Sequence, residues 1–201
     1  PIDVAKAVSL LDANGGTIRD YAGVGRVPHP GVPIIAIPTT AGSGSEVSGT
    51  TIITEEATHE KLLVISMYLV PEIAILDPLL TYGMPPALTA ATGVDALTHA
   101  IESYTTLNAN PVGDAYALQA MRLIGENLRT AVSDGSNIEA RGNMTVASFL
   151  AGASLLNCGV SVVHGIAQSI GGIAHVPHGL ANALILPYAM EINYVGNLEK
   201  F

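Results

Sequence analysis

The sequence predicts a mixed α/β region followed by an all-helical region. Short β-rich runs bounded by proline or turn residues occur only before the segment GMPPA at 83–87. Beyond that segment, apolar residues recur at the three- and four-residue spacing of amphipathic helices. We therefore predict an α/β domain over 1–84 and a helical domain over 85–201, with the boundary near Gly83–Pro86.

The individual elements follow from the same patterns. In the first domain an apolar face predicts a helix over 2–12, and Val- and Ile-rich runs predict four strands, at 33–38, 50–54, 61–66 and 72–78. The second and third strands flank the polar segment EEATHE and form a predicted hairpin. In the second domain five helices are predicted, at about 86–105, 112–130, 137–157, 161–173 and 178–195.

The composition limits the partners and the compartment. There are 8 basic and 17 acidic residues, a net charge of −9, and no basic cluster, so we expect neither nucleic acid nor a membrane as partner. The apolar run 144–163 raises the question of a membrane span, but its richness in Ala, Gly and Ser favours a buried core helix. The single cysteine, Cys158, and an opening segment that carries Asp3 and Lys6 fit a cytoplasmic protein.

The stretch ATGVDALTHAIESY (91–104) places Asp95 and His99 four residues apart in a mostly apolar helix. Side chains at this spacing share one helical face, so the carboxylate and the imidazole can meet. They form either a hydrogen-bonded core pair or half of a metal site. An Asp on an apolar helix is costly unless it is paired or coordinated, and these segments hold almost no Lys or Arg.

Two more imidazoles can join this pair. His164 lies near the end of GVSVVHG and His178 follows a proline in HVPHGLANA, and the glycines between them allow one helix to end and another to begin. Divalent ions such as Fe²⁺ or Zn²⁺ accept three imidazoles and one carboxylate while keeping a position open for substrate. Spacing alone leaves open that all four side chains are satisfied core residues. His29 and His59 fall in loops and are expected to be exposed.

Three segments taken together resemble one known family. GVDALTHAIESY, VVHGIAQSIGGIAHVPHGLANALILP and IPTTAGSGSEVS are similar to segments of the iron-containing alcohol dehydrogenases. The resemblance extends along the whole chain and implies a dehydroquinate synthase-like fold, with an α/β dinucleotide-binding domain before a metal-binding helical domain. It also implies an internal segment that lacks the family's N-terminal glycine-rich turn and its C-terminal part.

The resemblance assigns the chemistry. It implies hydride transfer between a small alcohol or aldehyde and NAD or NADP, with Fe²⁺, or alternatively Zn²⁺, as the ion. Its metal ligands correspond to Asp95, His99, His164 and His178. The resemblance is also compatible with a homodimer. A zinc glycerol dehydrogenase or a dehydroquinate-synthase-like enzyme on the same scaffold is the alternative, and a non-catalytic helical module is the alternative of another class.

The same resemblance places the cofactor contacts. Asp3, near the start of the first helix, and Lys61, in the hairpin, correspond to family positions near the dinucleotide. The structural alternatives are a helix-terminal charge and a solvent-exposed lysine. The loop PTTAGSGSE offers small and hydroxyl-bearing residues that permit close approach to ribose or phosphate. Its candidates are Thr39, Thr40, Gly42 and Ser43.

One position departs from the family pattern. The family often carries a second histidine four residues after the third ligand, near the nicotinamide, and Gln168 stands there in this chain. Glutamine orients a hydroxyl group by hydrogen bonding but does not accept a proton at neutral pH. We therefore expect Gln168 to act as the catalytic-site hydrogen-bonding group. The proton would leave through water, the cofactor ribose or a group such as His175, which we otherwise expect to support the ligands or the fold.

Overall fold

The structure is a computed structural model that describes residues 1–58, 60–174 and 176–201. Its elements are α1 (Ile2–Asn14), β1 (Gly23–Val24), β2 (Ile35–Ala36), β3 (Thr50–Thr54), β4 (Lys61–Ile65), β5 (Ile73–Ala74), α2 (Pro86–Thr105), α3 (Pro111–Ser133), α4 (Ile138–Cys158), α5 (Val162–Ala174) and α6 (His178–Gly196). All the predicted helices and strands are present, and the α/β region followed by a helical region is confirmed.

The chain forms two compact units. The first comprises Pro1–Pro38 and Ser45–Ile75, and the second comprises Thr39–Gly44 and Leu76–Phe201. The helical unit therefore begins at Leu76 and also includes a short loop that interrupts the first unit. The division into domains 1–84 and 85–201 stays a prediction about the protein as a whole.

The first unit contains α1 and the five strands. One sheet has the order β1-β4-β3, with β1 parallel and β3 antiparallel to β4, so the predicted hairpin is confirmed. The strands β2 and β5 form a separate parallel pair. They pair over only two residues each, so they are shorter than the β-rich runs that predicted them. The strand β1 was not predicted, because two residues carry no alternation of apolar and polar side chains.

Local sequence determines where the helices of the second unit begin. Pro111 occupies the first position of α3, where the missing N–H would have no helical partner in any case. The side chain of Asn110 caps the same helix by accepting from the backbone N–H of Gly113 at 3.1 Å. Asn137 caps α4 in the same way, by accepting from the backbone N–H of Ala140 at 3.0 Å.

The helices α2, α3 and α4 meet largely on alanine. Their core cluster contains Ala96, Ala100, Ala117, Ala120, Leu123, Ile124, Ala131, Ala140, Met144, Ala147 and Ala151. Because methyl groups occupy little space, the three backbones approach closely. On α2 the buried Ala96 directly follows Asp95, and the buried Ala100 directly follows His99. Because the alanine face of α2 packs on α3 and α4, the adjacent polar face is directed towards α5 and α6, which also pack on α2.

The first turn of α6 packs directly on α2 because residue 179 has no side chain. A Cβ atom at Gly179 would overlap the backbone oxygen of Ala91. Ala91 lies one helical turn before Asp95, and Gly179 follows His178. This contact therefore sets how near His178 comes to Asp95.

The apolar run 144–163 divides between two helices at Gly159. Its α4 part is largely buried, as predicted for a core helix. Among the described residues, no individual helix combines the length and hydropathy of a membrane span, and α4 with α5 does so only as a pair bent by 106°.

A buried arginine connects the start of α4 to the start of α2. The Arg141 side chain donates to the backbone oxygens of Gly135 at 3.0 Å and Met84 at 3.2 Å, and to Thr89 Oγ1 at 2.9 Å. Arg141 is only 2% exposed, and all three acceptors are uncharged. The guanidinium therefore stabilises the fold by donating to three acceptors at this junction, of which those of Met84 and Thr89 belong to buried residues.

We predict that Arg141→Met lowers the free energy of unfolding by about 2–4 kcal/mol, because it removes three hydrogen bonds from a largely buried site. Arg141→Lys is the matched variant and should lose less, since an ammonium group keeps the charge and one or two of the bonds. Urea unfolding of the purified protein, followed by circular dichroism, measures both. A loss of under about 0.5 kcal/mol for Arg141→Met would contradict the stabilising role.

Candidate metal centre

The structure brings together the four side chains that the sequence singled out as donors. Asp95 and His99 lie one turn apart on α2, His164 lies in the first turn of α5, and His178 is the first residue of α6. Asp95 Oδ1 lies 3.9 Å from His99 Nε2, 3.6 Å from His164 Nε2 and 3.5 Å from His178 Nε2. One carboxylate oxygen is therefore the common neighbour of three imidazole nitrogens.

The spacing of these atoms fits a single divalent ion. Bonds of about 2.1 Å in a tetrahedral arrangement place neighbouring donor atoms about 3.4 Å apart. The donor atoms of Asp95, His99 and His164 all lie within 4.8 Å of one another, and these three residues are buried. The side chain of His178 is 39% exposed, so the fourth donor lies nearest to solvent. Imidazole nitrogen with one carboxylate oxygen suits Fe²⁺ and Zn²⁺.

A buried amide faces the same centre. Asn182, on α6, is fully buried, and its Nδ2 donates to Asp95 Oδ1 at 2.7 Å. The same Nδ2 lies 3.4 Å from Nε2 of both His164 and His178. Within the described ranges, Asn182 Oδ1 and His99 Nδ1 are buried and have no hydrogen-bond partner. Buried polar atoms are costly without partners. Neither of these two is the atom that meets Asp95 Oδ1, since Asn182 faces it with Nδ2 and His99 with Nε2.

A buried glutamate holds His164 from the other side. Glu102 lies on α2, seven residues after Asp95, and is fully buried. Its Oε2 lies 2.5 Å from His164 Nδ1 and accepts from the backbone N–H of His164 at 3.3 Å. Its Oε1 accepts from the backbone N–H of Val163 at 2.7 Å. Glu102 therefore binds both the start of α5 and the ring of one candidate ligand.

The electrostatics of the cluster separate the protonation states of its members. Burial alone would raise the pKa of Asp95, but the charges of the three imidazoles, whose Nε2 atoms all lie within 4 Å of Oδ1, hold it well below its usual range. Burial lowers the pKa of His99 to about 4, with further lowering by the positive charges of His164 and His178. Burial also disfavours the charged form of His164, but the nearby carboxylate of Asp95 and the hydrogen bond to Glu102 outweigh this and raise the pKa to about 9.

Two of the predicted cofactor residues lie in the first unit. The carboxylate of Asp3 accepts from Ser45 Oγ at 2.6 Å and from the backbone N–H of Ile52 at 3.0 Å, so it connects α1 to β3. Lys61 is the first residue of β4, pairs with Thr54 across the hairpin and is exposed. The structure thus gives Asp3 a structural role, and its contact with the cofactor stays a prediction.

The other predicted cofactor residues form the loop that packs with the helical unit. Thr39 and Ser43 are exposed, and Thr40 is half-buried. A Cβ atom at Gly42 would lie 2.6 Å from the backbone oxygen of Thr92 on α2, so glycine is required there for packing. The neighbouring Gly44 has φ +60° and similarly abuts the backbone of α4.

The remaining histidines and Gln168 are placed as follows. Gln168 lies on α5, one turn after His164, and is half-buried. His29 is exposed in a loop, as predicted. His59 and His175, for which the sequence predicted an exposed loop position and a supporting role, lie outside the described residues.

Sequence reasoning missed Glu102 and Asn182. Both follow the helical spacing that identified the first pair: Glu102 is seven residues after Asp95, and Asn182 is four residues after His178. A polar side chain that repeats at this spacing inside an apolar helix was the signal that could have identified them.

The chain is similar to known proteins of one family. Residues 1–78 match the family described as iron-containing alcohol dehydrogenase, and residues 89–201 match the C-terminal part of the same family. The 1,3-propanediol dehydrogenase of Klebsiella pneumoniae is 46% identical over 201 residues, which are 100% of this chain and 52% of that protein. The chain therefore spans about half the length of this curated relative.

Solved structures give the same result. A crystal structure of 1,3-propanediol oxidoreductase matches with a TM-score of 0.96 and 46% identity, over 100% of this chain and 52% of that one. The sulfoacetaldehyde reductase from Bifidobacterium kashiwanohense, solved in complex with NAD⁺, matches with a TM-score of 0.89 and 38% identity, over 96% of this chain and 51% of that one. On this evidence the chain belongs to the iron-containing alcohol dehydrogenase family.

Proposed function

We propose that the protein is a metal-dependent alcohol dehydrogenase that transfers a hydride between a small alcohol or aldehyde and NAD(P). One observation carries the proposal: Asp95 Oδ1 lies within 4 Å of an Nε2 atom on each of three histidines from three different helices. Four donors at this spacing suit one divalent ion, and both Fe²⁺ and Zn²⁺ can accept a further oxygen ligand, which the substrate would supply. Family membership and the dehydrogenase relatives support the same activity.

The proposed ligands are Asp95, His99, His164 and His178. When bound, the ion supplies Lewis-acid polarisation of the alcohol or carbonyl oxygen, and the nicotinamide accepts or donates the hydride. Asp95 supplies the negative charge that offsets part of the charge of the ion. His99 presents a neutral ring, because burial keeps its pKa at about 4. His178 is the most exposed ligand and therefore borders the side from which substrate approaches.

Gln168 is the proposed hydrogen-bonding group for the substrate. It lies one turn after His164 on the same helix, so the two side chains share a face of α5. Its amide both donates and accepts, which suits the orientation of a hydroxyl or carbonyl oxygen. It does not carry a proton away, so the hydroxyl proton leaves through water, the cofactor ribose or His175.

For the cofactor we propose contacts from Asp3, Lys61 and the loop residues Thr39, Thr40, Gly42 and Ser43. The hydroxyl groups of the loop suit ribose and phosphate oxygens, and the close packing of Gly42 on α2 holds the loop in place. NAD is favoured by the NAD⁺ complex of a structural relative, with NADP as the alternative. We propose Fe²⁺ as the ion on the basis of the family, with Zn²⁺ as the alternative. A cytoplasmic homodimer completes the proposal.

The direct test is metal content together with alcohol oxidation. We expect the purified protein to hold about one divalent ion per chain and to reduce NAD or NADP with short alcohols. Asp95→Asn should lose the ion and lower kcat/KM by more than about 100-fold, because a neutral amide oxygen replaces the anionic donor. His29→Gln is the control, since His29 lies in an exposed loop. A protein that holds no ion and loses nothing on Asp95→Asn would support the non-catalytic helical module.

The contact at Gly179 gives a second prediction. Alanine there forces α6 away from Ala91 and moves His178 off the centre, so we expect Zn²⁺ affinity to fall by about tenfold or more. Gly196→Ala is the matched control, because a Cβ atom at the end of the same helix meets nothing within 4 Å. Competition with a chromogenic chelator measures both affinities. Equal affinities for the two variants would show that the close packing of α6 does not position His178.

The pH dependence of metal binding gives a third prediction. The pKa of His164 is raised to about 9, so at neutral pH the metal-free ring carries a proton on both nitrogens. An ion needs the lone pair of Nε2, so binding must release that proton. We expect the apparent affinity for Zn²⁺ to rise about tenfold per pH unit between about pH 6 and 8. Titration calorimetry in two buffers of different ionisation enthalpy counts the released proton, and a pH-independent affinity would contradict the prediction.

A further inference from the structure

We propose that Glu102 is a positioning residue that fixes the tautomer and the ring orientation of His164, so that His164 Nε2 presents its lone pair to the metal centre. The proposal rests on the metal site proposed above. It concerns a residue on the same helix as Asp95 and His99 that points to the ligand on the neighbouring helix rather than to the centre itself.

The tautomer follows from the bonding partners of Glu102. A carboxylate has acceptors only, and two of its partners, the backbone N–H groups of Val163 and His164, can only donate. The N–H of Val163 faces Oε1 of Glu102, and the N–H of His164 faces Oε2. The third partner, His164 Nδ1, lies 2.5 Å from Oε2 and must donate as well. With the hydrogen on Nδ1, the neutral ring has its lone pair on Nε2, the atom that lies 3.6 Å from Asp95 Oδ1.

The ring is also fixed in direction. The same carboxylate accepts from the backbone at the start of α5 and from the side chain of His164, so it holds the ring relative to the helix that carries it. Glu102 is fully buried, and the side chain of His164 is 5% exposed, so water does not compete for these bonds. A carboxylate behind a ligating imidazole makes the opposite nitrogen a stronger donor.

Glutamine cannot replace these three bonds. Its side chain has one oxygen and one NH₂ group, so one of the fixed backbone donors must face another donor. If the NH₂ group lies beside Nδ1, the imidazole hydrogen moves to Nε2 and blocks the ligand position. If it lies beside Val163, the remaining amide oxygen accepts the Nδ1 hydrogen more weakly than a carboxylate does. Both arrangements weaken the donor at Nε2.

The test compares the wild type with Glu102→Gln and Ser103→Ala. Ser103 is the next residue on α2, is also buried, and donates to the backbone oxygen of Gly159 at 2.9 Å rather than to His164. We expect Glu102→Gln to weaken Zn²⁺ binding by about 10- to 100-fold, whereas Ser103→Ala stays within about threefold of the wild type. Thermal unfolding of the metal-free proteins identifies the temperature at which all of them are folded.

A second readout distinguishes positioning from a purely structural role. In the Zn²⁺-loaded wild type with ¹⁵N-labelled histidine, we expect a downfield Nδ1–H resonance from His164, which shifts or disappears in Glu102→Gln. If that variant does not fold, Glu102→Asp, which keeps the charge but shortens the side chain, should show the same shift with a smaller loss of affinity. An unchanged Zn²⁺ affinity with an unchanged resonance in a folded variant would overturn the proposal. A wild type that binds no ion would instead overturn the proposed function.

Discussion

The site depends on one ionised carboxylate held inside an apolar helix. Asp95 is buried, and Asp95 Oδ1 receives a hydrogen bond from Asn182 and faces imidazole nitrogens from α2, α5 and α6. Burial of a charge is tolerable only when donors or cations surround it. No Lys or Arg within the described ranges forms an ion pair with Asp95, so histidines on two other helices complete its surroundings. The same requirement that makes the centre suitable for a metal ion also determines where α5 and α6 pack.

The alanine-rich seam supports this polar centre. The helix α2 presents Ala96 and Ala100 to α3 and α4, so it is held close to both without large side chains. Bulky residues would give a wider separation and more rotamer freedom. At the other end of the chain, Gly179 lets α6 reach the backbone of α2. The precise polar geometry is therefore a result of small residues at the helix contacts.

Much of this arrangement could be predicted from the sequence, because it repeats at helical spacing. Asp95 and His99 share a face by spacing alone, and the glycines before His178 indicate a new helix. The contacts of Glu102 with α5 could not be predicted, because Val163 and His164 lie some sixty positions away and the approach depends on tertiary packing. Arg141 was missed for a related reason, since its three acceptors are uncharged and leave no charge pattern in the sequence.

The loop over 39–44 has a mechanical consequence. Gly42 and Gly44 abut the backbones of α2 and α4, so the loop has no room to swing independently of them. The exposed Thr39 and Ser43 therefore belong to a loop that is packed on the helix that carries Asp95 and His99. A ligand bound to this loop would therefore keep a constant distance from the Asp95 carboxylate during slower movements of the protein.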